Sequence, residues 1–246
     1  MKIILDAGHG ANTSGKRSPD GTVREWNINS KIVEELMVLA SKYEGVQVKR
    51  VDDPTGKRDV PLQERTDIAN AWGADLYVSI HQNAMGVGWS TAKGAETFAY
   101  SKDSTEAATV AKHIQNEIVK QTGSADRGVK FQNFHVLRET KCPSVLVECG
   151  FMTNRSEAVD MLTSVWQKAK AKAIMDGIAK GYYLKLKKGA TPPPVAVPTK
   201  PHIDYVHEVT IDGKVIGKYK SNQNIANIVL ESLANNPELI TIKIIR

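Results

Sequence analysis

Apolar residues recur along this chain with two different periods. Short apolar or alternating stretches, typical of β-strands, occur at residues 2–5, 46–50, 75–80, 94–100 and 144–148. Between these stretches, apolar residues spaced three and four apart predict helices at residues 28–43, 61–72, 104–122 and 156–181, the last with a break. Strands that alternate with helices predict an α/β fold with a twisted, largely parallel sheet and helices on both of its faces.

The pattern changes after residue 187. Residues 188–201 are rich in proline, and such a stretch stays extended, so they are predicted to be a linker between a main domain at 1–187 and a module at 202–246. The module is predicted to be small and α+β, with Asp212-Gly213 as a hairpin turn. The predicted elements are strands at 206–211, 215–219 and 239–245 and a helix at 223–234. A module of this size has little core, so self-association is one route to its stability.

Composition is that of a globular protein able to bury a core. Of the 246 residues, 41% are hydrophobic and 24% are charged, and no apolar run approaches the roughly 18 residues of a membrane span. The first residues lack the apolar region and the cleavage site of a signal peptide. We therefore expect synthesis in the cytoplasm, and a protein that works outside the cell would need another route there.

The net charge of +6 favours anionic partners such as nucleic acid, acidic lipid or an anionic wall polymer. Seven lysines lie close together near the end of the last predicted helix, where either a binding patch or a solvated helix face is expected. These are Lys168, Lys170, Lys172, Lys180, Lys185, Lys187 and Lys188. The two cysteines match no zinc-binding spacing, and Cys149, in an apolar strand, is expected to be a buried, reduced thiol.

Polar side chains follow three of the predicted strands. His9 lies in a glycine turn after the first strand, His81 follows the strand at 75–80, and Glu148 ends the strand at 144–148. Parallel strands would bring these side chains to one edge of the sheet. Glu25, joined to His9 by a polar loop, can reach the same edge, and Asp20 in that loop is the competing carboxylate.

Two histidines and a glutamate form a recurrent catalytic zinc set, and zinc makes hydroxide available near neutral pH. Such chemistry also needs a carboxylate that moves protons. Glu148 ends an apolar strand, which should raise its pKa as that role requires. Asn83, Arg65 and Arg138 are candidates for substrate contacts, with structural hydrogen bonding as the alternative.

Residues 10–16 match the first seven positions of a phosphate-binding loop and follow a strand. The eighth position of that motif must be Ser or Thr to hold magnesium, and here it is Arg17. Pro19 would also disturb the helix that should face the phosphates. A nucleotide-binding function is therefore not expected.

Several stretches, taken together and in this order, carry a specific resemblance. They are LDAGHG (5–10), Glu25 with Asn29, LQERTDIAN (62–70), ADLYVSIHQNA (74–84), RGVK (127–130) and VLVECGFMTN (145–154). The chain thereby resembles the zinc-dependent N-acetylmuramoyl-L-alanine amidases of bacterial and phage cell-wall lysis, the amidase_3 type, from residue 2 to about residue 183. The resemblance implies that His9, Glu25 and His81 bind Zn²⁺ and that Glu148 is the catalytic carboxylate.

The substrate implied by the resemblance is the amide between the lactyl group of N-acetylmuramic acid and L-alanine in peptidoglycan. Two departures from the family pattern are Ala11 after the first His-Gly pair and Trp26 after the ligand glutamate, where changed substrate contacts are expected. Neither removes a ligand.

The resulting hypothesis is a peptidoglycan hydrolase of endolysin or autolysin type. It would be made in the bacterial or host cytoplasm and act at the cell wall after release, with peptidoglycan and anionic wall polymers as partners and without nucleic acid or a membrane span. The module at 202–246 would bind the wall or associate with a second copy. The alternatives are a zinc carboxypeptidase on cell-wall peptides and a non-catalytic wall-binding protein with an amidase fold.

Overall fold

The computed structural model describes residues 1–191, 206–219 and 240–245. The chain forms two compact units, Met1–Pro198 and Thr199–Arg246. Most of the proline-rich stretch at 188–201 and the whole predicted helix at 223–234 lie outside the described residues. Among the described residues, no helix combines the length and the apolar composition that crossing a membrane requires.

The first unit contains a six-stranded sheet. Its strands are β1 (Lys2–Ala7), β2 (Gln47–Arg50), β3 (Leu76–Asn83), β4 (Ala95–Ala99), β5 (Asp126–Phe131) and β6 (Ser144–Phe151). They lie in the order β2-β1-β3-β6-β4-β5. All neighbours are parallel except β4 and β6, which run antiparallel. The predicted largely parallel sheet is confirmed.

Helices cover both faces of this sheet, as predicted. They are α1 (Glu25–Ala40), α2 (Leu62–Trp72), α3 (Thr105–Thr122), α4 (His135–Arg138), α5 (Arg155–Met161) and α6 (Ser164–Gly181). The larger core packs α1, α3 and α6 against one face of the sheet. A smaller core on the other face includes Ile4, Tyr77 and Leu146 and residues of α2 and α4. Because the central strands are buried on both faces, they read as continuous apolar runs.

Two elements were not predicted. Strand β5 is rich in charged residues and only partly buried, so its alternation is weak, and α4 is a single turn, too short for a helical period to appear. Helix α6 also corrects an expectation, because Lys170 and Lys172 are buried and belong neither to a solvated face nor to an exposed patch. The Lys170 Nζ atom donates to the hydroxyls of Thr122 and Ser124, and burial lowers the pKa of Lys170 to about 8.

The second unit contains a three-stranded antiparallel sheet in the order β8-β7-β9. Its strands are β7 (Val206–Ile211), β8 (Lys214–Tyr219) and β9 (Ile240–Ile245). Asp212 and Gly213 both have positive φ, at 47° and 78°, as a tight hairpin turn between two strands requires. The predicted Asp-Gly hairpin is confirmed.

Candidate metal centre

The turn after β1 presents His9 in a fixed orientation. His9 itself has a φ of 70°, in the left-handed region that is uncommon for residues with a side chain. The Gly8 amide donates to the Ile80 carbonyl at 3.0 Å, and the Asn29 side chain donates to the Gly8 carbonyl at 3.1 Å. A Cβ atom at Gly8 would lie 2.1 Å from the His81 ring, so only glycine lets the turn approach β3 this closely.

Glu25 reaches the same place because the loop before it folds back on itself. Arg17 pairs with Arg24 in an antiparallel bridge, and the Glu25 amide donates to the Lys16 carbonyl at 3.0 Å. The Glu25 carboxylate is then 3.3 Å from His9 Nε2 through one oxygen and 2.9 Å from His81 Nδ1 through the other. The structure thus brings His9, Glu25 and His81 together, although Glu25 is far from His81 in sequence.

These three side chains fit a metal ion. Their ligand atoms all lie within 4.8 Å of one another. Within the described part of the chain, no other group of three or more His, Cys, Asp or Glu residues meets this condition. Two imidazole nitrogens and a carboxylate oxygen suit zinc. Zinc bonds of about 2.0–2.2 Å in a tetrahedral site separate the ligand atoms by roughly 3.3 Å. The distances from the Glu25 carboxylate to His9 Nε2 and His81 Nδ1, 3.3 and 2.9 Å, are close to that value, which fits a metal ion held by the three side chains.

Hydrogen bonds and charges within this group shift the pKa values of Glu25 and His81. Burial by itself would raise the pKa of Glu25, but hydrogen bonds and charge from His81 and His9 outweigh it and hold the pKa well below the ordinary value. Burial opposes the charged form of His81, yet the hydrogen bond and charge of Glu25 raise its pKa. Because a metal needs a neutral imidazole, metal and protons compete for the same nitrogens.

Glu148 lies beside the metal group on the neighbouring strand. It is directly paired with His81 in the parallel register of β3 and β6. The residue is partly exposed, but its Oε2 atom is buried and has no hydrogen-bond partner among the described residues. Burial raises the pKa of Glu148 to about 8, with Glu25 and Glu96 adding to the shift and His81 opposing it. The expected rise in its pKa is confirmed.

A buried ionic network supports the turn from below. Arg65, at 1% exposure, pairs with Asp6 and donates to the carbonyl oxygens of Ala7 and His9 at 2.9 Å. Asp6 also accepts hydrogen bonds from the hydroxyls of Tyr77 and Ser79. Sequence reasoning named Arg65 but missed Asp6, whose signal was a charged residue inside an otherwise apolar strand.

Other candidates lie elsewhere. Trp26 is buried, and its indole nitrogen donates to Asp52 at 3.0 Å, so its side chain packs within the protein. Its effect on substrate contacts stays a prediction. Asp20 accepts hydrogen bonds from Ser18 and Thr22 and takes no part in the metal group.

Two of the candidates for substrate contacts make side-chain hydrogen bonds within the protein. Asn83 donates to Glu96 at 2.6 Å, and Arg138 pairs with Glu139.

Comparison with known proteins identifies a family and several relatives of this chain. Residues 3–180 match the family described as N-acetylmuramoyl-L-alanine amidase. The N-acetylmuramoyl-L-alanine amidase CwlM of Bacillus licheniformis is 33% identical over 192 residues, which are 77% of this chain and 72% of that protein. The endolysin of Bacillus phage SPP1 is 38% identical over 199 residues, 78% of this chain and 69% of that protein.

Solved structures of similar proteins share the fold. The catalytic domain of CwlV, an N-acetylmuramoyl-L-alanine amidase from Bacillus (Paenibacillus) polymyxa var. colistinus, superposes with a TM-score of 0.68 at 29% identity, covering 75% of this chain and 99% of that domain. An N-acetylmuramoyl-L-alanine amidase from Clostridium difficile 630 gives a TM-score of 0.66 at 34% identity, covering 74% of this chain and 94% of the other.

Proposed function

The chain belongs to the N-acetylmuramoyl-L-alanine amidase family, and from that premise we propose that it hydrolyses the amide between muramic acid and L-alanine in peptidoglycan. In this proposal His9, Glu25 and His81 hold a zinc ion, and Glu148 is the catalytic carboxylate. The observation that carries it is one metal-binding group directly beside a carboxyl group with a raised pKa. Paired sites whose pKa values are pushed apart are typical of acid–base catalysis.

The ligand residues have a positioning role. His9 and His81 would contribute imidazole nitrogens and Glu25 a carboxylate oxygen, each already oriented by the contacts of the turn and of α1. A zinc ion bound there supplies Lewis acidity, which polarises a carbonyl group and makes a bound water more acidic. The Arg65 network holds the His9 backbone from behind, so that little reorganisation accompanies binding.

Glu148 moves the proton. Amide hydrolysis takes one proton from the attacking water and gives one to the departing alanine nitrogen. In the metal-free protein, burial raises the pKa of Glu148 above its ordinary value, which favours a carboxyl group that can hold and release a proton near neutral pH. Its buried Oε2 atom has no hydrogen-bond partner among the residues that the structure describes, which costs stability and is a reason to assign Glu148 a role in the reaction.

Product analysis of digested sacculi tests the activity. We expect mass spectrometry to find intact stem peptides freed from glycan strands, a loss of release with a chelator, and recovery when zinc is added. Peptides shortened by one residue and still attached to glycan would instead support a zinc carboxypeptidase. Zinc-loaded protein that releases nothing would support a non-catalytic wall-binding protein.

We also propose that the second unit binds the cell wall and keeps the catalytic unit on an insoluble substrate. A short unit joined through a proline-rich segment allows this arrangement, since such segments act as semi-rigid spacers. The full chain should sediment with purified walls more completely than a chain ending at residue 191. Equal sedimentation would reject anchoring, and self-association of the full chain in an ultracentrifuge would favour the dimerisation alternative.

A further inference from the structure

Three acidic and basic side chains form a row across the sheet that continues past the metal group. His81 on β3 is paired with Glu148 on β6, and Glu148 is paired in turn with Glu96 on β4. Directly paired residues on neighbouring strands point to the same face of a sheet. Glu96 therefore lies on the same face as the metal group, on the far side of Glu148.

Glu96 is the buried carboxylate with which two cationic side chains pair, and it is not part of the metal group. Its carboxylate is 4% exposed and pairs with Arg127 Nε at 2.7 Å and with Lys130 Nζ, while Asn83 donates to its other oxygen. The side chains of Arg127 and Lys130 remain 30% and 40% exposed. Two cations paired with one buried carboxylate leave an excess positive charge at this cluster, on the far side of Glu96 from Glu148.

The chemistry of the reaction decides which part of the substrate passes this cluster. Glu148 must deliver its proton to the alanine nitrogen, so the peptide half leaves from the Glu148 side of the site. The lactyl carboxyl group of muramic acid is consumed in the amide, so the glycan half carries no carboxylate there. The peptide half is the one that carries carboxylates. The negatively charged half of the substrate therefore leaves on the side of the site where Arg127 and Lys130 lie.

Distances support the same assignment. Neighbouring strands lie about 4.8 Å apart, so Glu96 on β4 lies roughly one strand spacing from Glu148. Arg127 and Lys130 start on β5, one strand further, and their charged groups reach back to the Glu96 carboxylate. An extended peptide advances about 3.4 Å per residue. A carboxylate on the residue after L-alanine would thus arrive beside Arg127 and Lys130.

We propose that Arg127 and Lys130, supported by Glu96, form a subsite that binds the carboxylate on the stem-peptide residue after L-alanine. The subsite rests on the proposed amidase function and gives it a substrate preference. RGVK (127–130) thereby acquires a role in the substrate contacts, in addition to holding β5 on β4. The Arg127 guanidinium also lies 4.7 Å over the Phe151 ring, which orients it without covering it.

Two synthetic muramoyl dipeptides test the subsite, one with a free carboxylate and one with a carboxamide on the residue after L-alanine. The parent should prefer the carboxylate. Lys130→Gln and Arg127→Gln should each lower kcat/KM for the carboxylate by roughly 5- to 20-fold, mainly through KM, and for the carboxamide by less than about twofold. Lys130→Arg should keep the preference, because it keeps the charge.

Lys112→Gln is the matched control, since Lys112 is exposed on α3, which packs on the other face of the sheet. Thermal melts should show all four variants folded. The subsite would be overturned if Lys130→Gln and Arg127→Gln lowered kcat/KM equally for both substrates, or if both kept the parent's preference. Either result would leave the amidase function standing. A parent protein that releases no stem peptides from sacculi would overturn the amidase function and the subsite with it.

Discussion

Two carboxylates in and beside the metal group have pKa values shifted in opposite directions. At the β1–β3 end, Glu25 is buried between two imidazoles, and its pKa is held well below the ordinary value. At the β6–β4 end, Glu148 has a buried oxygen without a partner among the described residues, and its pKa is raised to about 8. Burial raises the pKa of both carboxylates, and the hydrogen bonds and charge of His81 and His9 reverse the direction at Glu25.

This contrast separates two tasks within a small region. A metal ligand must stay charged, and a proton carrier must be able to hold a proton near neutral pH. In the proposed site, Glu25 lies between the two imidazoles, whereas Glu148 is paired with His81 across the strands and its buried Oε2 atom accepts no hydrogen bond from the described residues. Each substitution below is directed at one of these two carboxylates, and its main effect should fall on the task proposed for that carboxylate.

The largest effect is expected from Glu148→Gln, which keeps the shape of the side chain and removes its acid–base function. Turnover should fall by roughly 10²–10⁴-fold, the usual contribution of a general acid–base group. Zinc affinity, measured by competition with a chromogenic chelator, should stay within about threefold of the parent. A variant that loses zinc together with activity would make Glu148 a ligand and remove the contrast.

Glu25→Gln should act at the opposite end. It removes the proposed anionic ligand and the partner that raises the pKa of His81. Losing a residue that only hydrogen-bonds to a metal ligand typically lowers metal affinity roughly 10–100-fold, so losing Glu25 should lower zinc affinity by more than that. Asp20→Asn is the matched control, because Asp20 is the other carboxylate of the loop before α1 and bonds only within that loop in the contacts observed. If both variants bind zinc equally well, Glu25 is not a ligand.

The smallest effect concerns the stability of the metal-free protein. The pKa of Glu148 is raised from 4.5 to about 8 in the folded state, so the folded protein binds more protons than the unfolded chain between these values. Its stability should therefore fall as pH rises through that range. The depressed pKa of Glu25 acts oppositely, stabilising the fold above its ordinary pKa of 4.5 and losing that contribution at lower pH.

Thermal melts of the metal-free parent and Glu148→Gln at several pH values measure this difference. The variant should gain stability relative to the parent between about pH 5 and about pH 8, with little further change above that range. Comparing the two proteins at each pH cancels the other titrating groups. If the difference in stability between the two proteins stayed constant across this pH range, the pKa of Glu148 would not be raised. The contrast between the pKa values of Glu148 and Glu25 would then be lost.

The periodicity of apolar residues determined most of the architecture. The core strands and long helices were predictable because their burial repeats at intervals of two or of three and four residues. The order of the apolar strands also predicted that His9, His81 and Glu148 are neighbours, since parallel strands run in the same direction. The predicted strand ends were too early, because β3 continues past His81 to Asn83 and β6 continues past Glu148 to Phe151. The family resemblance named the reaction, and the comparisons agree with it.

Only the tertiary structure decided how the loops and the partly buried elements are placed. The approach of Glu25 to both imidazoles depends on a loop that folds on itself, and no local period encodes such a contact. The burial of Trp26 and Lys170 depends on partners distant in sequence, Asp52 for the indole and Ser124 for the ammonium group. Local sequence specifies which face of an element is apolar, and long-range packing determines which polar groups meet there.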